Sequence, residues 1–342
     1  MELISIVVPF YRIEKKVIKY CVDSIINQTY KKIEAFLVDD GNTDGSSEYL
    51  DELAKDYSFI SVIHQKNSGV SAARNAGIYA AQGEYIVFLD GDDCLSSDYI
   101  ESFVQAIEKT HADIIYAEHV VFKDKCVFES SPCNNPVLIE NKTIVMRSVL
   151  SSGVSKEIGL HGAPWGKAFK TSLLKDNKLL FDTKLPRSQD NEFNFRVLQY
   201  ADKVAYLPDK LYGYRESEQS AMTRYRSDSK EIQERYLDKV VEDAHYFDVL
   251  DIVKHDIDVI TMIKFFDICN TCILHKDNSD SIRDKIAIIK KTLNEDRYKK
   301  ALNRVTTKDF DGAPKLYIFL LKRELVTLYC ITHGIRRILK GL

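Results

Sequence analysis

Residues 84–93 read EYIVFLDGDD. Tyr85 to Leu89 form an unbroken apolar run rich in β-branched and aromatic side chains, the pattern of a strand buried on both faces. The run ends on Asp90, Gly91, Asp92 and Asp93. Ionised carboxylates are costly to bury alone, and when crowded at a strand end they repel and raise one another's pKa. A divalent cation removes that repulsion. Mg²⁺ and Mn²⁺ prefer oxygen ligands and commonly take one or two carboxylates together with substrate phosphates. Gly91 would let a diphosphate approach the backbone. An equally simple reading makes Asp92 or Asp93 the cap of a helix starting near Ser97.

The same pattern repeats outward from this stretch. ISIVVPF (4–10), IEAFLVDD (33–40), FISVIHQ (59–65) and ADIIYAE (112–118) read as further strands. Helical stretches lie between them. One presents Val17, Cys21, Ile25 and Ile26 on a single face, and another carries Leu50, Leu53 and Ala54 and is opened by Asp44 or Ser46. A third, SGVSAARNAGIYAAQ (68–82), is opened by Ser68 or Ser71 and ended by Gly83. Strand–helix alternation of this kind predicts a mainly parallel sheet flanked by helices, with ligands beyond the carboxyl ends of the strands. Asp39 and Asp40 end one such strand, where a carboxylate can accept hydrogen bonds from a base N–H or a ribose hydroxyl. DGNTDGSSEYLD (40–51) matches a calcium-loop spacing, but such a loop follows a helix and this one follows a strand. Arg74 lies one turn into its helix. It can pair with a carboxylate or a bound phosphate, or brace the acidic loop from within.

The rest of the chain is organised differently. Residues 121–160 read as irregular, and residues 161–225 hold the sole Trp, an acidic cluster and a Tyr-rich segment. Residues 226–342 read as successive amphipathic helices, which sets a domain boundary near residue 225. SQDNEF (188–193) precedes a helical run with Phe193, Val197 and Leu198. Asp190 therefore sits near a helix N-terminus, where it can cap the helix, take a proton from a hydroxyl, or do both. Trp165 is a stacking platform for a sugar or a core residue.

Composition excludes several classes. Of 342 residues 45% are apolar and 29% charged, which argues against disorder, and a net charge of -3 gives no footprint for nucleic acid. The seven cysteines are scattered. The one C-x-x-C, Cys269 and Cys272, lies in a helical run and reads as small buried side chains one turn apart rather than a metal or redox pair. The N-terminus lacks the pattern of a signal peptide, and no stretch reaches the length of an apolar membrane span. The expectation is a cytoplasmic protein.

VVPFY, VDDGNTDGS, NSGVSAARNAG and GEYIVFLDGDD, in this order and spacing, resemble the family 2 glycosyltransferases of GT-A fold. The resemblance continues through APWGKAFKTSLL, PRSQDNEFNFRVL and LYGYRESEQSAMT, similar to the acceptor half of bacterial members that build cell-surface polysaccharide. It implies a GT-A catalytic domain over 1–225, with a nucleotide-sugar half (1–120) and an acceptor half (121–225), before a helical C-terminal region. It also implies roles. Pro9 and Tyr11 would line the nucleotide pocket, Asp40 would read the base, Arg74 would support the diphosphate, and Asp90 with Gly91 would contact the donor. Asp92 would hold a divalent metal, Mn²⁺ or Mg²⁺. Asp190 would be the catalytic base, with Glu192 as the nearby alternative. Tyr214, Arg215 and Ser220 resemble a segment that closes over donor phosphates. The chain departs from the family pattern at Gln189, where a Glu is usual, and at Arg12, where an Asn is frequent.

The implied reaction is inverting transfer of one hexosyl or N-acetylhexosaminyl unit, from a donor such as a UDP-sugar to a glycan or lipid-linked acceptor. A processive synthase would carry a Q-x-x-R-W segment and membrane helices, and a nucleotidyltransferase would carry a glycine-rich loop after its first strand. PFYRIEKK (9–16) has no glycine. A non-catalytic nucleotide-sugar-binding protein is the alternative from another class. Residues 315–342 mix apolar faces with Lys322, Arg323, Arg336, Arg337 and Lys340. They read either as a peripheral contact with the inner face of the plasma membrane or as a homo-oligomer contact.

Overall fold

The computed structural model describes residues 3–128, 135–150, 160–216 and 224–339. Strand β1 (Ile4–Phe10) is buried along its whole length. It pairs in parallel with β2 (Ile33–Asp39) on one side and β4 (Tyr85–Phe88) on the other. β2 in turn pairs in parallel with β3 (Ile60–His64). Helices on both faces explain why β1 shows no polar alternation: Ile4, Ile6, Val7, Val8 and Phe10 are all fully buried. Each such side chain contributes roughly 1.5–3 kcal/mol on burial. Helix α3 (Val70–Ala80) comes so close that a Cβ on Gly77 would lie 2.2 Å from a methyl of Val7.

The sheet runs β3-β2-β1-β4-β8 (Lys167–Lys170)-β6 (Ile114–Phe122)-β9 (Val204–Arg215)-β5 (Cys94–Leu95). From β1 the chain steps outward through α1 (Lys15–Ile26), β2, α2 (Ser46–Ala54) and β3. It then returns to the opposite side of β1 as β4. That reversal is the switch point at which open α/β sheets leave a crevice beyond their strand ends. Asp39, Asp40 and Asp90 to Asp93 lie at this edge.

The second half of the sheet is mixed. The short β8 (Lys167–Lys170) lies antiparallel to both β4 and β6 (Ile114–Phe122). β6 pairs in parallel with the long β9 (Val204–Arg215), with register shifts at Ala117–Glu118 and Glu118–His119. The two-residue β5 (Cys94–Leu95) pairs antiparallel with Tyr212 and Gly213 of β9. Gly213 permits this approach, because a Cβ there would lie 2.6 Å from the Cys94 sulfur.

The structure revises some sequence expectations. β5 separates the acidic loop from helix α4 (Tyr99–Thr110), whose N-cap position is Asp98, so neither Asp92 nor Asp93 caps it. α2 and α3 begin after Gly45 (φ 83°) and Gly69 (φ 87°), not on a serine cap. A glycine adopts such φ values without steric cost. The stretch read as irregular contains β7 (Val137–Leu138) and α5 (Lys142–Leu150). Ser220 lies outside the described residues.

The chain divides into two units, Met1–Val145 with Gly162–Ser217, and Met146–His161 with Glu218–Leu342. Helices α6 (Thr171–Asp176) and α7 (Gln189–Tyr200) belong to the first. The second contains α8 (Ser229–Tyr246), α9 (Leu250–Ile268), α10 (Ile282–Leu293), α11 (Asp296–Arg304), α12 (Gly312–Leu321) and α13 (Val326–Leu339). Met262, Phe265, Phe266, Tyr298, Ile318 and Tyr329 lie in its core. Cys269 and Cys272 sit in the five-residue π turn that continues α9; Cys269 is buried, Cys272 half-buried, and neither forms a disulfide. Burial pushes the Cys269 thiol up, away from the thiolate a metal or redox site would need. Among the described residues no helix is long and apolar enough to cross a membrane.

Candidate active site

The site begins where β1 and β2 end. Asn42 ties their loops together: its Oδ1 accepts from the Arg12 backbone N–H at 2.7 Å, and its Nδ2 donates to the Phe10 carbonyl at 3.1 Å. Pro9 is buried in β1, while the Tyr11 ring beyond it is 41% exposed with the Arg12 guanidinium 5.1 Å above it. Tyr11 is thus partly open to solvent, with Arg12 over one face of its ring. Asp39 and Asp40 organise different loops. Asp39 accepts from the Asn42 and Ser47 side chains and pairs with His64. Asp40, 2% exposed, accepts from Gln65 Nε2 and Ser68 N on Oδ1 and from Gly69 N on Oδ2. A carboxylate has about four acceptor positions, so Asp40 retains capacity on Oδ2.

Arg74 is the centre of the constellation. Its side chain is 3% exposed, Nη2 donates to Asp90 Oδ1 at 2.6 Å, and Nη1 donates to Asp190 Oδ1 at 2.7 Å. Arg74 therefore pairs with carboxylates and braces the acidic loop from within. Asp190 lies in the first turn of α7, after Ser188 at φ 60°. Its backbone carbonyl accepts from Asn194 Nδ2 at 2.9 Å, and Asn194 also reaches the Gly162 carbonyl. Among the described residues Asp190 Oδ2 accepts no hydrogen bond, and the side chain keeps 28% of its exposure. Burial raises the Asp190 carboxyl above the ordinary carboxylate range, against the pull of Arg74. A carboxylate so placed can orient toward an incoming hydroxyl and accept its proton.

The acidic loop shows the crowding that its sequence implies. Burial and the neighbouring Asp90 push Asp92 up to about 6. Asp93 is likewise raised, by burial and by Asp90 and Asp92. Asp93 is committed to the fold, accepting from Tyr212 Oη at 2.5 Å and from Arg215 N at 2.7 Å. The half-buried Asp92 is destabilised as an anion by burial and by Asp90, only partly relieved by its own backbone N–H and by Arg215, and so suits a cation. Among the described residues no group of three or more His, Cys, Asp or Glu is placed to hold a metal by itself. A cation on Asp92 would therefore complete its shell with oxygens from a ligand.

Gly91 meets a packing need as well. A Cβ there would lie 2.6 Å from Phe10 Cδ1 and 2.8 Å from Ile13 Cδ1, so the glycine seats the loop on the β1–α1 connection. The other three candidates are also engaged within the fold. Trp165 is 9% exposed and stacks on Tyr212 (centroids 4.6 Å apart, planes 12° apart) and on Tyr214 (5.4 Å, 25°). Glu192 is fully buried and paired with Arg196. Arg215 Nε donates to the Asp92 carbonyl at 2.8 Å, and its guanidinium lies 4.5 Å over Phe122.

Two residues escaped the sequence reading. Tyr212 Oη, besides bonding Asp93, accepts from Asp90 N at 3.2 Å and so holds the loop from both ends. Its period-two spacing to Tyr214 within LYGYR was the available signal. Lys167 is fully buried, donates to the Ala163 carbonyl and lies 4.6 Å over the Tyr116 ring. Burial pulls its ammonium well below the usual lysine range, against the charge of Asp190. In the four-residue KAFK strand, with a lysine at each end, local pattern does not show which lysine is buried.

With this geometry in view, three similarities stand out. The chain is 32% identical over 254 residues to the uncharacterized glycosyltransferase EpsJ of Bacillus subtilis (strain 168), spanning 72% of this chain and 71% of that one. It superposes on S. aureus TarS 1–349 in complex with UDP-GlcNAc with a TM-score of 0.59 at 18% identity, covering 98% and 91% of the two chains. It superposes on the mannosyltransferase PcManGT of Pyrobaculum calidifontis, in complex with GDP-Man and Mn²⁺, with a TM-score of 0.53 at 14% identity, covering 98% and 87%. The two structural likenesses show a shared fold. The profile described as "Glycosyl transferase family 2" matches residues 5–150, the segment that supplies Tyr11, Asp40, Arg74 and the acidic loop. Together with the identity to EpsJ over most of both chains, that match establishes that the chain belongs to glycosyl transferase family 2.

Proposed function

We propose that this glycosyltransferase moves one hexosyl or N-acetylhexosaminyl unit from a nucleotide donor, UDP-linked in the first instance, to a hydroxyl of a glycan or lipid-linked acceptor. Inversion occurs at the anomeric carbon, in the construction of a cell-surface polysaccharide. The observation that carries the reading is the single Arg74 guanidinium that holds Asp90 and Asp190 together. Further support comes from the relatives' fold and from the nucleotide sugars bound to TarS and PcManGT.

In this reading the exposed face of Tyr11 receives the base, with Pro9 behind it and Asp40 accepting from a base N–H. Asp90 lies nearest the ribose. Asp92 would hold a divalent cation, Mn²⁺ or Mg²⁺, which supplies positive charge against the leaving diphosphate. Arg74 fixes Asp190 Oδ1 and leaves Oδ2 for the acceptor hydroxyl. Asp190 takes the hydroxyl proton as the oxygen attacks the anomeric carbon, and the nucleoside diphosphate departs. The partial positive charge at the start of α7 favours the ionised base before each turnover.

The test is a panel of UDP- and GDP-sugars, each with Mn²⁺ or Mg²⁺, scored for release of nucleoside diphosphate with and without oligosaccharide and lipid-linked acceptors. Release from one donor, dependent on the metal and lost in Asp92→Asn, is expected. Tight donor binding with no release under any acceptor would leave a binding protein instead.

A further inference from the structure

Helices α12 and α13 each bury one face in the core of the second unit and leave the other in solvent. On α12 the buried face is Tyr317, Ile318, Leu320 and Leu321. The opposite face carries Lys315, Leu316 (44% exposed) and Phe319 (40% exposed), and the exposed Lys322 and Arg323 follow directly in the turn. The Arg323 guanidinium lies 3.7 Å over the Phe319 ring, so cation and apolar surface form one patch. On α13 the buried residues are Val326, Tyr329, Cys330 and His333. Leu328, Ile331 and Ile335, at spacings of three and four, form a ridge on the opposite side and are 43%, 52% and 53% exposed. Leu325, in the turn between the helices, is 43% exposed.

We infer that this solvent face of α12 and α13 is a docking surface for an anionic lipid bilayer. Charge selects the occupant. Residues 312–342 contain six cations (Lys315, Lys322, Arg323, Arg336, Arg337 and Lys340) and a single acid, Glu324. A second copy of the chain seated on the same face would set Lys315, Lys322 and Arg323 against their own counterparts, and like charges brought together in a desolvated interface oppose association. An anionic headgroup layer neutralises them while the acyl boundary takes up Phe319, Leu328, Ile331 and Ile335. Scattered single exposed leucines need no explanation, but an aligned apolar ridge in a segment that also exposes Lys315, Lys322 and Arg323 does. The inference is independent of which sugar is transferred and of whether transfer occurs at all.

The test is sedimentation of the full chain with phosphatidylcholine vesicles, with and without phosphatidylglycerol, at low and high salt. Binding is expected only to the anionic vesicles and to weaken with salt. Lys322→Glu with Arg323→Glu should reduce the partition at least about tenfold, since each cation near such a surface contributes about fivefold. Leu328→Ser with Ile331→Ser and Ile335→Ser should abolish it. These side chains lie in solvent, so an unchanged thermal unfolding midpoint confirms that the fold persists. Equal binding to neutral vesicles, or retention of binding by either variant, would overturn the inference. So would absence of binding together with a concentration-dependent dimer that the serine variant dissociates.

Discussion

Arg74 and Asp190 lie 116 positions apart in the chain and meet at 2.7 Å. The other arm of the same guanidinium holds Asp90 at 2.6 Å. A helix at the switch point of the sheet thus joins the acidic loop after β4 to the first turn of α7. The planar fork of an arginine suits this task, because it donates to two carboxylates from fixed positions.

Arg74→Lys should therefore keep the charge and lose the bridge. A compact ammonium cannot reproduce the fork, so one carboxylate drifts. Misplacement of about 1 Å at a reacting group costs on the order of a hundredfold in rate. We expect kcat to fall by about that factor with the fold intact. Arg74→Ala should also destabilise the fold by about 3 kcal/mol, the lower end for an ion pair broken in the interior, because both carboxylates keep some contact with solvent. Steady-state kinetics and denaturant unfolding on the two variants separate the effects; wild-type kcat in the lysine variant contradicts the role assigned to the fork.

The pH profile should report the raised carboxyls of the site, Asp190 as base and Asp92 as the group that would hold the cation. The base works ionised, and burial lifts its pKa. Activity is then present above that raised value and lost as pH falls through it. The acid limb of kcat/KM should lie above the ordinary carboxylate range of about 4. A limb at that ordinary value or below would mean that the group that titrates lies elsewhere.

Gly91→Ala should fail for reasons of space. Its methyl would meet Phe10 and Ile13 at 2.6 and 2.8 Å. Overpacking of this kind costs about 1–3 kcal/mol, and relief by moving the loop would displace Asp90 and Asp92. A lower unfolding midpoint together with reduced turnover is expected. Unchanged values of both would mean that the loop has more room than the contacts allow.

A pH-dependent contribution to stability should come from His64. Its Nδ1 lies 2.9 Å from Asp39 Oδ2 and its Nε2 3.1 Å from Asp51 Oδ1. The hydrogen bond to Asp39, then that to Asp51, raises its pKa. Burial opposes ionisation of Asp39, yet bonds from His64, Asn42 and Ser47 outweigh it and hold that carboxyl low. The raised histidine contributes fully below its unfolded value of about 6.5 and loses the contribution as pH rises through the folded one. The lowered aspartate contributes above about 4 and loses it as pH falls through its folded value. His64→Gln should thus cost most between about pH 4 and 6.5 and little well above. His64 is 45% exposed, so the cost stays within about 1 kcal/mol. A pH-independent difference in urea midpoints contradicts it.

Local pattern carried much of this in the sequence. Apolar runs in β1, β2 and β4 are buried because helices cover both faces, and that makes them legible without knowledge of their partners. The placing of Asp190 in the first turn of a helix was legible from the helical run that follows it, while capping and base chemistry both stayed open there. What stayed hidden depends on contacts between distant segments. The insertion of β8 between β4 and β6, the pairing of Cys94 with Gly213, and the grip of Tyr212 on Asp93 are set by packing, which no local periodicity encodes. Trp165 shows the same limit: whether an aromatic ring meets a ligand or Tyr212 depends on the register of β9.

The most direct measurement compares Asp190→Asn with the wild type, by calorimetric titration of the donor and by turnover. Asparagine can still accept from Arg74 through its amide oxygen, but it cannot take a proton from the acceptor. The account predicts unchanged donor affinity with turnover lower by about a hundredfold to ten-thousandfold. Wild-type turnover in Asp190→Asn would contradict it.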